Sequence, residues 1–352
     1  MYNRKRIIVI SLLPVLGVVA ALAFMQRGPV IPISQTLNID QTSETYVSPI
    51  SIDYLRSLTY SGSQISIEQT LPDGANYRQY IASYQSEGSK VFGLLTVPKA
   101  VKPTEGFPAI VFDHGFISPK DYKTTEKYVA YVDFLARSGF IVFKIDFRGH
   151  GKSEGTASGS YFSNTYTVDT INAVKSLQMH GDVDRNKVGV WGHSMAGNAV
   201  LRVALVLQDI KAVVIWAGAV YSYEDFRKYG INDASYVHRP DSGAGQADQV
   251  REISAEIQKI RDRSAEIDFT NTFWSSISLT KNLNYLSSPV LIMHATNDPV
   301  INIGYSRDLA KSLETAGKTY ELVELAGGGH NIESPYFEQA MQKTVEFYEQ
   351  HL

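Results

Sequence analysis

The chain has 352 residues, of which 44% are hydrophobic and 20% charged, and its 33 Lys and Arg against 36 Asp and Glu give a formal net charge of -3. That length can bury a substantial core in one large or two small domains, and the charge balance offers no basic surface for nucleic acid and no acidic tail. Cysteine is absent, which excludes disulfides, thiolate metal sites, a cysteine nucleophile and lipid attachment through an N-terminal cysteine.

Residues 1–27 read apart from the rest. Asn3-Arg4-Lys5-Arg6 is followed by Ile7 to Met25 without a charged side chain, and then by Arg27. A basic flank before an apolar run of bilayer-spanning length predicts a signal anchor with its positive end in the cytoplasm and the remaining chain outside. Ala21-Leu22-Ala23 also supplies a small-x-small site, so a cleaved signal peptide and secretion stand as the alternative. Residues 28–48 are rich in Pro, Ser, Thr and Gln without apolar periodicity, the composition of a tether. Residues 49–352 are then the globular domain.

That domain opens with three strand-like segments, Gln64 to Thr70, Tyr77 to Tyr84 and Lys90 to Val97, separated by Pro72-Asp73-Gly74 and Ser86-Glu87-Gly88 turns, which predicts an antiparallel start to a sheet. Strands then alternate with helices: Ala109 to Phe112 and Glu126 to Ser138, Ile141 to Ile145 and Val168 to Met179, Val188 to Trp191 and Gly197 to Gln208, then Ala212 to Trp216. Strands apolar on both faces between amphipathic helices predict a largely parallel sheet covered by helices, with ligands at the carboxyl ends of the strands. Residues 221–285 interrupt the alternation. They carry their own amphipathic pattern in Val250, Ile253, Ile257, Ile260 and Ile267, and an aromatic group in Phe269, Phe273 and Trp274. This is too long for an ordinary connection.

Three positions carry chemistry. Gly192-His193-Ser194-Met195-Ala196-Gly197 stands directly between the strand ending at Trp191 and a helix. Small residues around a serine at such a junction form a nucleophile elbow, here with Ala196 in place of the usual glycine. Further on, Pro289 to Ala295 forms an apolar strand followed by Asp298, and Tyr320 to Ala326 forms another followed by Gly327-Gly328-Gly329-His330. Ser, Asp and His in that order, each just past a strand, predict Ser194 as nucleophile, His330 as its base and Asp298 as the acid that orients it. Among the rivals, His294 lies inside a strand, His193 is packed at the elbow, and His180, His238 and His351 lack a glycine loop. Glu324 lies within a strand and Asp225 in the insertion. No metal constellation or phosphate-binding glycine loop competes, so no cofactor is expected.

From about Ile65 onward the chain resembles the α/β-hydrolase superfamily, and within it the catalytic domains of prolyl-oligopeptidase and acyl-peptidase enzymes and their esterase relatives. The resembling pieces are Lys90 to Pro98, Asp113-His114-Gly115-Phe116, Asp146 to Ser153 and Asp184 to Ser194. No propeller resemblance accompanies them. The resemblance implies an α/β-hydrolase fold with a helical cap at 221–285 over Ser194, where Phe269, Phe273 and Trp274 would line an acyl or aromatic pocket; the alternative is a helix packed on the flank of the sheet, with the three aromatics as core. It also implies an oxyanion hole from the N–H of Phe116, in a turn shaped by His114, together with the N–H of Met195 that follows the nucleophile. Arg148 and His150 are expected to stabilise the neighbouring loop.

The function expected is an extracytoplasmic serine hydrolase that cleaves carboxylic esters through an acyl-enzyme. The alternatives are a serine peptidase or acyl-aminoacyl hydrolase and, on the same scaffold, a binding protein without catalysis. The substrate is expected to be a small ester or short acyl-peptide, with no nucleic-acid partner, and with membrane contact through residues 1–27 if these are retained.

Overall fold

Long apolar runs in the middle of the sequence become the interior strands of one sheet. The computed structural model describes residues 48–231, 260 and 267–352. The predicted anchor and all but the end of the predicted tether lie outside these residues, as do Val250, Ile253 and Ile257 of the insertion. Among the described residues no helix is long and apolar enough to cross a membrane.

The strands are β1 (Ser66–Thr70), β2 (Tyr77–Ser86), β3 (Ser89–Pro98), β4 (Phe107–Asp113), β5 (Ile141–Ile145), β6 (Val183–His193), β7 (Val213–Trp216), β8 (Val290–Ala295) and β9 (Tyr320–Leu325). They form one sheet in the order β1-β2-β3-β5-β4-β6-β7-β8-β9. Pairing is antiparallel from β1 through β3 to β5 and parallel from β5 to β9. Glu87 and Gly88 close the β2–β3 hairpin with φ of 49° and 80°, the left-handed pair that a two-residue turn between twisted strands requires.

The α-helices that lie wholly within the described residues are α1 (Ile52–Ser57), α2 (Val129–Arg137), α3 (Thr165–Leu177), α4 (Met195–Val206), α5 (Tyr223–Tyr229), α6 (Thr272–Ile277), α7 (Gly304–Thr315) and α8 (Tyr336–His351). Because side chains alternate across a strand, each parallel strand feeds two apolar layers. Ala109, Val111, Val190, Val213 and Ile292 join the layer with α1, α3 and α4. Ile110, Phe112, Trp191, Val214 and Met293 join the layer with α2 and α8. This is the doubly covered, mostly parallel sheet of the α/β-hydrolase fold, and the turns at the carboxyl ends of β4, β6, β8 and β9 hold the site residues.

Two of the boundaries that differ from the sequence expectation have a local cause. β6 begins at Val183 instead of Val188, because Phe107 of β4 pairs with Val183 ahead of a register shift. The helix expected from Glu126 begins at Val129, because Tyr128 takes a left-handed conformation, φ 60° and ψ 21°, and breaks the helical path.

Candidate active site

Ser194 stands between β6 and α4 with φ 55° and ψ -121°, a conformation that costs a non-glycine residue on the order of 1–3 kcal/mol. The surroundings enforce it. Its N–H donates to the Trp216 carbonyl at 2.9 Å and its own carbonyl accepts from Gly197 N–H at 2.9 Å. A Cβ on Gly192 would lie 2.6 Å from the Ala196 carbonyl oxygen, so only glycine lets the strand and the new helix approach this closely. Ala196 itself is fully buried, and the extra methyl at that position of the motif is absorbed by packing.

His330 Nε2 lies 3.0 Å from Ser194 Oγ, and His330 Nδ1 lies 2.7 Å from Asp298 Oδ2. A carboxylate can only accept, so Nδ1 carries the proton and Nε2 presents its lone pair to the serine hydroxyl. Burial pushes the Asp298 carboxyl up, but hydrogen bonds from His294 and His330, the His330 charge and the Ile301 N–H outweigh it and hold the group well below the usual carboxylate range. Its Oδ1 accepts from the N–H groups of Val300 and Ile301 at 2.8 and 2.9 Å. His294 Nε2 lies 3.1 Å from Asp298 Oδ2, and its Nδ1 accepts from the Ser306 hydroxyl at 2.7 Å. The strand histidine set aside in the sequence is thus a partner of the acid. Asn297 Oδ1 accepts Gly329 N–H at 3.0 Å and ties the glycine loop before His330 to the turn that carries Asp298.

The loop after β4 runs alongside the nucleophile. A Cβ on Gly115 would come within 3.2 Å of Ser194 Cβ. Gly115 N–H donates to the Tyr128 hydroxyl at 2.9 Å, and Phe116 N–H has no acceptor among the described residues. Met195 opens α4, where a first-turn N–H has no acceptor within the helix. Two amide N–H groups without an acceptor among the described residues thus adjoin Gly115 and Ser194, and an oxyanion needs a pair of such donors. His114 Nδ1 lies 2.7 Å from the Gly115 carbonyl, and His150 Nε2 lies 3.2 Å from the Ile117 carbonyl. Arg148 grips Asp169 through Nε and Nη2 and so fixes the β5–α3 loop.

A buried relay joins this loop to the histidine loop. His193 Nε2 lies 2.9 Å from the His330 carbonyl, which can only accept, so Nε2 carries the proton and Nδ1 accepts from the Tyr128 hydroxyl at 2.7 Å. Burial, together with the neighbouring His330, pushes the His193 imidazole down to about 3, which keeps it neutral. Tyr128 holds its left-handed conformation with help from below: the carbonyl of the preceding Lys127 accepts from Lys144 Nζ at 3.0 Å. Lys144 is fully buried, and burial lowers its ammonium to about 8.

The aromatic group of the insertion lies elsewhere. Trp274 is 1% exposed and packs its ring 4.8 Å from Tyr223, 5.5 Å from Phe269 and 5.0 Å from Phe273. Trp274 is part of the α1–α4 core layer, and Phe269 and Phe273 pack partly buried against it. Residues 232–259 and 261–266 of the expected cap lie outside the described residues. Among the described residues no cluster of three His, Asp or Glu could hold a metal ion.

Known proteins are similar to this chain in sequence or in fold. Human protein ABHD12B is 24% identical over 238 residues, covering 65% of this chain and 57% of its own. A probable dipeptidyl-aminopeptidase B of Aspergillus terreus is 24% identical over 268 residues, covering 68% of this chain and 29% of its own. The chain therefore spans little more than half the length of the first relative and under a third of the second. Among solved structures, acetyl xylan esterase 1 from Thermoanaerobacterium sp. JW/SL YS485 superposes with a TM-score of 0.59 at 17% identity, covering 84% of this chain and 91% of that one. Acylaminoacyl peptidase from Pyrococcus horikoshii gives 0.60 at 18% identity, covering 79% and 42%. At these identities the superpositions show the shared fold. The family model described as serine aminopeptidase, S33, matches residues 108–334, more than half of the chain and every residue of the elbow, acid and histidine loops, and the protein therefore belongs to that family of α/β-hydrolase-fold serine hydrolases.

Proposed function

We propose that the protein is an extracytoplasmic carboxylic-ester hydrolase working through an acyl-enzyme on Ser194. The observation that carries this is the continuous hydrogen-bond line from Ser194 Oγ through the His330 ring to Asp298, at 3.0 and 2.7 Å. In this mechanism Ser194 Oγ attacks the ester carbonyl as His330 Nε2 takes its proton, and the oxyanion accepts from Phe116 and Met195 N–H. His330 returns the proton to the departing alcohol oxygen. Water, deprotonated by the same nitrogen, then attacks the acyl carbon, and His330 returns that proton to Ser194 Oγ as the acid leaves. Asp298 stays ionised throughout and steadies the imidazolium.

Support for an ester comes from the acetyl xylan esterase, most of whose length aligns with this chain. The S33 description and the acylaminoacyl peptidases favour amide cleavage by the same serine as the second reading. Para-nitrophenyl esters of rising acyl length, run beside aminoacyl-para-nitroanilides on the parent and Ser194→Ala, separate the two. Ester turnover exceeding anilide turnover and lost in the variant is expected; anilides as the better substrates would reassign the protein as a peptidase. The basic flank and apolar run of residues 2–27 support retention at the membrane with the enzyme outside. Sedimentation with membranes through a carbonate wash is the result expected, and a mature N-terminus near Phe24 would replace the anchor by secretion.

A further inference from the structure

A cavity of about 540 Å³ opens beside the proposed catalytic residues, within the roughly 300–1,000 Å³ span of small-molecule sites. Three segments make it, the third about two hundred residues beyond the first two. Phe116 and Ile117 come from the loop after β4, Tyr128 and Tyr131 from the start of α2, and Ile332 and Phe337 from the segment after His330. Its lip is formed by Phe116, one residue beyond the glycine packed on Ser194, and by Asn331, one residue beyond the base.

The walls are well held. Tyr131 donates its hydroxyl to the Asn331 carbonyl at 2.6 Å and meets the Phe337 ring edge-on at 4.9 Å. Phe116, by contrast, is 42% exposed, a large apolar ring left facing solvent at the mouth. Lys127 and Glu333 are the charged residues among the lining. Being opposite in sign, they give the cavity no net charge to attract a charged peptide terminus.

Stereochemistry fixes which half of a substrate such a cavity can take. The carbonyl oxygen points to the Phe116 and Met195 amides, and the departing atom must lie within hydrogen-bond reach of His330 Nε2 to receive its proton. The leaving group therefore extends toward the histidine loop, and the cavity lies between that loop and Phe116. We propose that this cavity is the leaving-group subsite, and that it takes a neutral aromatic alcohol whose ring packs against Phe116, Tyr131 and Phe337. The proposal rests on the ester-hydrolase reading and deepens it.

The test holds the acyl group at acetyl and compares benzyl with ethyl acetate, two unactivated primary alcohols, beside a second series holding the alcohol at ethyl and comparing phenylacetate with acetate. The parent is expected to favour benzyl over ethyl acetate by about tenfold or more in kcat/KM. Phe337→Ala, which opens the far wall, and Ala130→Trp, which fills the cavity from the exposed first turn of α2, are each expected to cut that ratio about fivefold or more. Melting temperatures identify a variant that fails to fold, in which case the other decides. Ser194-dependent hydrolysis with a benzyl-to-ethyl ratio near one would overturn the subsite and leave the esterase reading intact. So would a ratio untouched in the folded variants, or a ring preference found in the acyl series alone. Absence of Ser194-dependent hydrolysis across both series removes the esterase reading and the subsite together.

Discussion

The Nε2–H of His193 donates to the main-chain carbonyl of His330 at 2.9 Å, so the residue preceding the proposed nucleophile holds the backbone of its proposed base. Through Tyr128 the same imidazole also reaches Gly115, next to the proposed oxyanion donor. One buried relay thus sets the spacing between the two loops that must close on a substrate carbonyl.

Tyr128→Phe removes the centre of that relay and leaves Gly115 N–H and His193 Nδ1 without partners. Buried groups left unpaired cost about 1–3 kcal/mol, so the melting temperature should fall by a few degrees. If the relay positions the oxyanion loop, kcat should fall about tenfold while KM stays within about twofold, since the defect is felt in the transition state. Lost stability with kcat unchanged would make Tyr128 a packing residue only.

Ser194→Ala should lower kcat by about 10⁵-fold or more and abolish fluorophosphonate labelling. The fold should persist, since the hydroxyl carries none of the hydrogen bonds that hold the elbow: those are made by the Ser194 N–H and carbonyl. Asp298→Asn should cost about 10⁴-fold by presenting the wrong imidazole tautomer. Turnover by Ser194→Ala within tenfold of the parent would sink the assignment.

The sheet and the chain order of Ser194, Asp298 and His330 were legible because parallel strands covered on both faces must be apolar throughout, and because each of these residues follows such a strand. Tyr128 was hidden inside a segment whose periodicity already reads as helix from Glu126, and periodicity carries no sign of a left-handed residue. His294 was hidden by the apolar strand around it. The same strand brings it to Asp298 four residues later, a spacing that the bend after Ala295 converts into contact. The leaving-group cavity has no local sequence signal at all, since its walls come from segments up to about two hundred residues apart. Phe269, Phe273 and Trp274 were visible as a cluster, but core and pocket aromatics look alike in sequence.

Activity should fall on the acid side as a single protonation. Accepting the serine proton requires a neutral His330, while His193 is held down to about 3 and Asp298 stays ionised well below the working range. Neither changes charge between pH 5 and 8, so log kcat against pH should fall with a slope near one. A slope near two would bring in a second titrating group.

Asp225 caps α5, accepting Tyr221 and Ser222 N–H at 3.1 and 2.9 Å, and burial raises its carboxyl to about 7. A carboxyl whose folded value is raised favours the native state most below its unfolded value, about 3.9, and that contribution is lost as pH rises toward 7. Parent stability should therefore decline over this window by an amount that Asp225→Asn, which keeps an acceptor for the cap, removes. Melting temperatures of both proteins at pH 5 and 7 check it; equal declines would show that Asp225 is not the source.

Trp274 distinguishes a core from a pocket. It is 1% exposed among Tyr223, Phe269 and Phe273, so Trp274→Ala should cost about 3–5 kcal/mol by leaving a cavity under the insertion. Its indole N–H has no hydrogen-bond partner among the described residues, so Trp274→Phe removes an unpaired donor along with part of the ring and should cost much less. Denaturant unfolding measures both. With the substrate ring seated between Phe116 and Phe337, the folded Trp274→Phe protein should rank benzyl and ethyl acetate as the parent does, and a reordered ranking would return this aromatic group to the substrate site.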